Sequence, residues 1–108
     1  MLFRSRDQGC TVIEAANVDE AVSVLRSHLR VDVVFTDLRM PGTLDGAALV
    51  RLIRAEFPFV KVVMVSSESP EPEVHALLHG YIRKPFKLTE LSSCVQALAA
   101  SAVGGGAA

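Results

Sequence analysis

Val33-Val34-Phe35-Thr36-Asp37-Leu38-Arg39-Met40-Pro41-Gly42 is the stretch that decides the fold. A β-branched and aromatic run of this kind reads as a strand. It ends in a carboxylate, and Pro41 and Gly42 then impose a turn that keeps the next helix from covering that carboxylate. A carboxylate at the end of a buried strand does not fill a core. In an open α/β sheet the C-terminal rim of the strands is where ligands and chemistry collect. Two further apolar runs end the same way: Val62-Val63-Met64-Val65 runs into Ser66, and Tyr81-Ile82-Arg83 into Lys84. A parallel sheet would bring an acid, a hydroxyl and an ammonium to one rim.

Outward from this stretch, strands alternate with helices, which implies a parallel sheet with right-handed crossovers. Leu2 to Gln8 is read as the last turns of a helix, with Gly9 as its C-terminal cap. Thr11 to Ala15 reads as a strand. Asn17 caps a helix reaching about Leu29, with Asp19 and Glu20 in its first turn and Ala21, Val24, Leu25 and Leu29 on one face. A strand from Val31 to Thr36 leads to the Asp37 loop. Asp45 caps a third helix that turns Ala48, Leu49, Leu52 and Ile53 inward and is stopped by Pro58. Lys61 to Val65 is a strand apolar enough to be covered on both faces. A short helix around Glu73 to His79, a strand from Tyr81 to Arg83 and a helix from Leu88 to about Ala100 complete the pattern. Residues 1–100 form the domain, and Ser101 to Ala108 reads as a flexible tail.

At 108 residues the chain is one domain at most, and its hydrophobic half excludes a disordered polymer. A net charge of -1 with scattered Arg and Lys gives no basic stripe for nucleic acid. No apolar run reaches the length of a membrane span. Cys10 and Cys94 fit no metal spacing and read as reduced thiols of a cytoplasmic protein. His75 and His79, four apart, could share a metal on a helix but have no third ligand nearby.

Asp37 with Met40-Pro41-Gly42 behind it, Ser66 and Lys84-Pro85-Phe86 together resemble the receiver domain of bacterial two-component response regulators, the CheY-like family. The resemblance implies a flavodoxin-like α/β fold, a parallel sheet with helices on both faces. It implies a phosphorylation-controlled switch rather than an enzyme. A sensor histidine kinase or phosphotransfer protein would donate phosphate to Asp37, and a downstream protein partner would read the change. Ser66 and Lys84 would contact the phosphoryl group, through a cis Lys84-Pro85 bond in the second case, and Tyr81 would be the aromatic switch. Mg²⁺ would bind through Asp37, the Arg39 backbone carbonyl and an acidic pair at the end of a first strand.

That acidic pair is absent. No two acids precede Leu2, and Asp7 is the only acid before Glu14. The chain therefore reads as a receiver truncated at its N-terminus, with about four strands and without the first, central one, and metal-dependent phosphorylation should be weakened or lost. A central strand contributes four or five apolar side chains at about 1.5–3 kcal/mol each. The loss, roughly 10 kcal/mol, rivals the whole stability of a small domain, and open strand edges would invite poor folding or self-association. Two other readings compete. One is a pseudo-receiver that binds partners independently of phosphate. The other is a phosphatase-like enzyme with Asp37 as nucleophile, which would need a second Asp where Arg39 stands.

Overall fold

The structure, a computed structural model, describes residues 2–5, 10–39 and 45–105, with side chains over 11–39 and 45–98. Its elements follow in the order β1 (Leu2–Ser5), β2 (Cys10–Ala15), α1 (Val18–Leu25), β3 (Val33–Thr36), α2 (Gly46–Glu56), β4 (Lys61–Ser66), α3 (Pro72–His75), β5 (Gly80–Arg83) and α4 (Leu88–Gly105). The strands lie in one sheet in sequence order. β2 to β5 are parallel, and β1 runs antiparallel on the outer edge of β2.

Two expectations about the sheet change. Leu2–Ser5 is not helical but a strand, paired from Leu2↔Ile13 to Ser5↔Cys10, and the rest of the stretch to Gln8 lies outside the described residues. Four residues are too few to show a helical period, and the open edge of β2 offers the unpaired N–H and C=O groups that a strand satisfies. Gly9 and the turn at Met40-Pro41-Gly42 lie outside the described residues. The second change concerns the central strand. β2 and β3 are not left as open edges; they pair with each other, from Val12↔Val33 to Ala15↔Thr36. The sheet has closed up, so the deficit of roughly 10 kcal/mol assigned to a gap does not describe this architecture.

Elsewhere local chemistry sets the boundaries. Asn17 Oδ1 accepts from Glu20 N at 2.8 Å and starts α1. The helix stops at Leu25, short of Leu29. There the Ser27 hydroxyl donates to Val24 O at 2.6 Å and accepts from Leu29 N at 3.2 Å, local bonds that compete with the helical ladder. Asp45 Oδ1 caps α2 through Ala48 N at 3.1 Å, and the helix ends before Pro58. α3 is a single turn and does not reach His79. His79 belongs instead to the sheet: its N–H donates to Val62 O at 2.9 Å and its Nδ1 accepts from Val62 N at 3.0 Å. The helical pair of histidines is therefore not formed. α4 continues to Gly105, beyond the point where a tail was expected.

Alternation along the strands divides the core in two. Ile13, Val34, Val62 and Met64 face α1, α2 and α3, meeting Ala21, Leu49, Ile53 and Val74. Val12, Val33, Phe35, Val63 and Val65 face the other way, towards Leu91 and Val95 of α4. Helices thus cover both faces of a flavodoxin-like parallel sheet. Asp32, buried at the start of β3, accepts from Thr11 N at 2.8 Å and from Arg30 Nε at 3.2 Å, fastening β2 to β3 at the rim opposite Asp37. Among the described residues no helix is long and apolar enough to cross a membrane.

Candidate functional site

Asp37 leaves β3 at the C-terminal rim, and its backbone is held before its side chain is. Gly46 N, at the start of α2, donates to Leu38 O at 2.9 Å. A Cβ on Gly46 would lie 2.1 Å from Asp37 O, so only glycine lets α2 begin this close to the loop. The Asp37 side chain then bends back, Oδ1 accepting from Arg39 N at 3.2 Å, the local turn to which aspartate is suited. Oδ2 takes the Lys84 ammonium, with Nζ 2.5 Å away.

Lys84 follows β5, where its own N–H extends the ladder to Ser66 O at 2.9 Å. The Lys84-Pro85 bond is cis. The ion pair is partly open to solvent, with 43% of the Lys84 and 33% of the Asp37 side chain exposed. Pairs this exposed contribute about 0–1 kcal/mol. Fold stability is therefore a weak reason for placing a carboxylate and an ammonium here.

Ser66 and Tyr81 reach the same rim by a different route. Ser66 is buried at the end of β4, and its Oγ accepts from Glu68 N at 3.1 Å. Tyr81, half-buried on β5, donates its hydroxyl to Glu68 O at 2.9 Å, with Ser66 O at 3.4 Å. Both residues thus engage the loop after β4 rather than Asp37 itself. The Glu68 carboxylate meets Arg39 Nη2 at 2.8 Å and lifts the guanidinium pKa further above its usual value. Arg39 stands beside the site, where its charge could offset some of the negative charge, but its partner Glu68 and the contact of Gly46 were not singled out from sequence. Arg39 and Glu68 are 29 positions apart, and only the fold brings them together.

Two cavities flank this rim. One, of about 500 Å³, is bordered by the charged Asp37, Lys84 and Glu14 and by the apolar Phe35, Phe86 and Leu91. Glu14 reaches it because β2 lies directly beside β3. The other, of about 260 Å³, lies between the start of α2 and the loop after β4 and is bordered by Arg39, Asp45, Arg51 and Glu68.

The donor set does not suit Mg²⁺, which wants near-octahedral oxygen ligation. Among the described residues no three His, Cys, Asp or Glu come together as metal ligands. Both Asp37 oxygens already accept from nitrogen donors. Asp37, the Arg39 carbonyl and Glu14 on the same cavity fall short of the set that the resemblance called for, in which an acidic pair joins Asp37.

A family model described as response regulator receiver domain matches residues 2–96. Over 93 residues the chain is 37% identical to a response regulator receiver protein of Anaeromyxobacter sp. (strain Fw109-5), covering 86% of this chain and 37% of that one. It is 34% identical to the DNA-binding transcriptional regulator NtrC of Salmonella typhimurium, over 81% of this chain and 19% of NtrC. The chain thus spans well under half the length of these curated relatives. Among solved structures, the response regulator TrrA of Thermotoga maritima, in complex with Mg²⁺-BeF, superposes with a TM-score of 0.68 at 27% identity, over 78% of this chain and 73% of TrrA. A receiver protein from Pseudomonas putida gives 0.68 at 30% identity, over 79% and 74%.

Proposed function

The chain belongs to the response regulator receiver domain family, and from that premise we propose that it accepts a phosphoryl group on Asp37 from a sensor histidine kinase or phosphotransfer protein. The observation that carries the proposal is the Lys84 ammonium, 2.5 Å from the Asp37 carboxylate at an open rim of the sheet. A carboxylate oxygen attacks the phosphorus of a phosphohistidine. The O–P bond forms as the P–N bond breaks, and the imidazole nitrogen leaves with the electron pair and takes a proton from water. Lys84 stands where it can pass from carboxylate to phosphoryl oxygen as a point charge. Ser66 supplies a second, hydroxyl contact once its loop turns, and Tyr81 reports that turn to a downstream protein. The chain acts as a signalling module rather than an enzyme, and a cytoplasmic location goes with this role.

The poor Mg²⁺ donor set favours a second reading, a pseudo-receiver whose partner binds without phosphate. Incubation with acetyl phosphate, followed on a phosphate-affinity gel with and without Mg²⁺, separates the two. Slow labelling that is lost in Asp37→Asn, with only a modest gain from Mg²⁺, is the expected result. Lys84→Ala should still label but lose any change in partner affinity on labelling. No label on the native chain under any condition would leave the pseudo-receiver reading in possession.

A further inference from the structure

His79, just ahead of β5, is bound twice to Val62 of β4, its N–H donating to Val62 O at 2.9 Å and its Nδ1 accepting from Val62 N at 3.0 Å. A backbone N–H only donates, so Nδ1 holds the lone pair. A neutral imidazole has one acceptor nitrogen, and Nε2 therefore carries the proton. The atom 3.2 Å from Nε2 is Arg54 Nη1, which also only donates. Two N–H donors thus meet at the rim opposite Asp37, with no acceptor between them among the described residues.

The surroundings add positive charge. Burial, then Lys61 and Arg54, hold the His79 pKa down, and no carboxylate of the described residues opposes them. The acids described at this rim are engaged elsewhere. Glu56 pairs with Arg26, and Asp32 is buried under Thr11 N and Arg30. Among the described residues neither Arg54 nor Lys61 has a salt bridge. Two positions ahead of Lys61, on the turn from α2 into β4, Phe59 is 90% exposed. A single exposed apolar side chain is ordinary. One that shares a rim with an arginine and a lysine lacking acids has the makings of an interface, where aromatics and arginine supply most of the binding energy.

We infer that this rim is a docking site for an acidic peptide segment of a partner protein. One carboxylate of the segment accepts from both Arg54 and His79 Nε2, and a neighbouring apolar side chain covers Phe59. Lys61 adds a point charge. A carboxylate suits the site because its two oxygens can take a guanidinium N–H and an imidazole N–H together. The apolar contact favours a peptide over a free anion, which has nothing to set against Phe59. The site lies at the far rim from Asp37 and does not rest on the phosphoacceptor reading.

NMR titration of the full, isotope-labelled chain tests this, with an amidated peptide alternating glutamate and leucine as the probe. Inorganic phosphate and a lysine–leucine peptide serve as companion probes. The acidic peptide should give saturable shifts at the Arg54 and His79 side-chain N–H groups and at the Phe59 and Lys61 amides, and the basic peptide none. Arg54→Gln and Lys61→Gln should each weaken binding severalfold while the urea midpoint stays near native. Arg54→Lys, which keeps the charge and loses the fork, should recover only part of the loss. Phe59→Ser should weaken the peptide severalfold and leave phosphate unchanged, and Asp37→Asn should bind as the native chain does. Phosphate matching the peptide, with Phe59→Ser affecting neither, would overturn the peptide and leave a plain anion site. No saturable shift in the native chain, or peptide binding untouched by Arg54→Gln, would overturn the docking site altogether.

Discussion

His79 fixes two strands with one residue, and its protonation state matters to the sheet. Its Nδ1 accepts the Val62 N–H, so the ring must be unprotonated at that atom for the bond to exist. Partial burial lowers the His79 pKa, and Lys61 and Arg54 push the same way; Arg54 Nη1 lies 3.2 Å from Nε2. In the unfolded chain the ring titrates near about pH 6.5. His79 therefore contributes its full stabilisation above that value. The contribution declines as pH falls through the lower folded pKa, because the unfolded chain takes up the proton first. The urea midpoint should drop between about pH 7.5 and about pH 5.5. In His79→Asn, whose amide oxygen can accept the same N–H and does not titrate, the drop should be smaller. An identical pH slope in that variant would place the sensitivity elsewhere.

At the scale of elements, the start of α2 sets the position of Asp37. Gly46→Ala would put a methyl group 2.1 Å from the Asp37 carbonyl oxygen, where backbone rather than a flexible side chain must give way. Overpacking of this kind costs about 1–3 kcal/mol. Part of the accommodation should be a shift of the Asp37 loop, so Gly46→Ala should lose both urea stability and labelling rate. Normal labelling in a destabilised variant would show that α2 moves and the loop does not.

The strand ends carrying Asp37, Ser66 and Lys84 were legible because each is local: an apolar run, one polar residue, then a turn signal. So were the caps at Asn17 and Asp45, which act on N–H groups three positions away. The Gly46 contact was not legible, since a glycine opening a helix looks the same whether or not a carbonyl lies against it. Neither was the Arg39–Glu68 pair, which depends on how far two loops lean together. Leu2–Ser5 failed for a further reason. Its strand state is conferred by the free edge of β2, and so it follows from topology rather than from its own residues.

For the molecule as a whole, the direct pairing of β2 with β3 moves the vulnerable edge outward. The central gap that pointed to self-association is closed, and the exposed edge of β2 is covered by β1, a ribbon of four residues. Along an antiparallel edge strand, alternate N–H groups point at the neighbour and away from it. Of the adjacent residues Phe3 and Arg4, opposite Val12 and Thr11, one therefore donates to β2 and the other does not. Proline at the donating position removes a ladder bond worth about 0.5–1.5 kcal/mol and keeps β1 from docking flat. Proline at the other position is tolerated, as on natural sheet edges. Uncovered, β2 becomes an apolar parallel-sheet strand with a free row of N–H and C=O groups, the kind of edge that pairs with another chain. Phe3→Pro and Arg4→Pro should therefore behave differently. One should stay at the native mass in light scattering with a near-native urea midpoint, while the other loses stability and forms dimers as concentration rises. Two monomeric variants with unchanged midpoints would mean that β1 covers nothing the sheet needs covered.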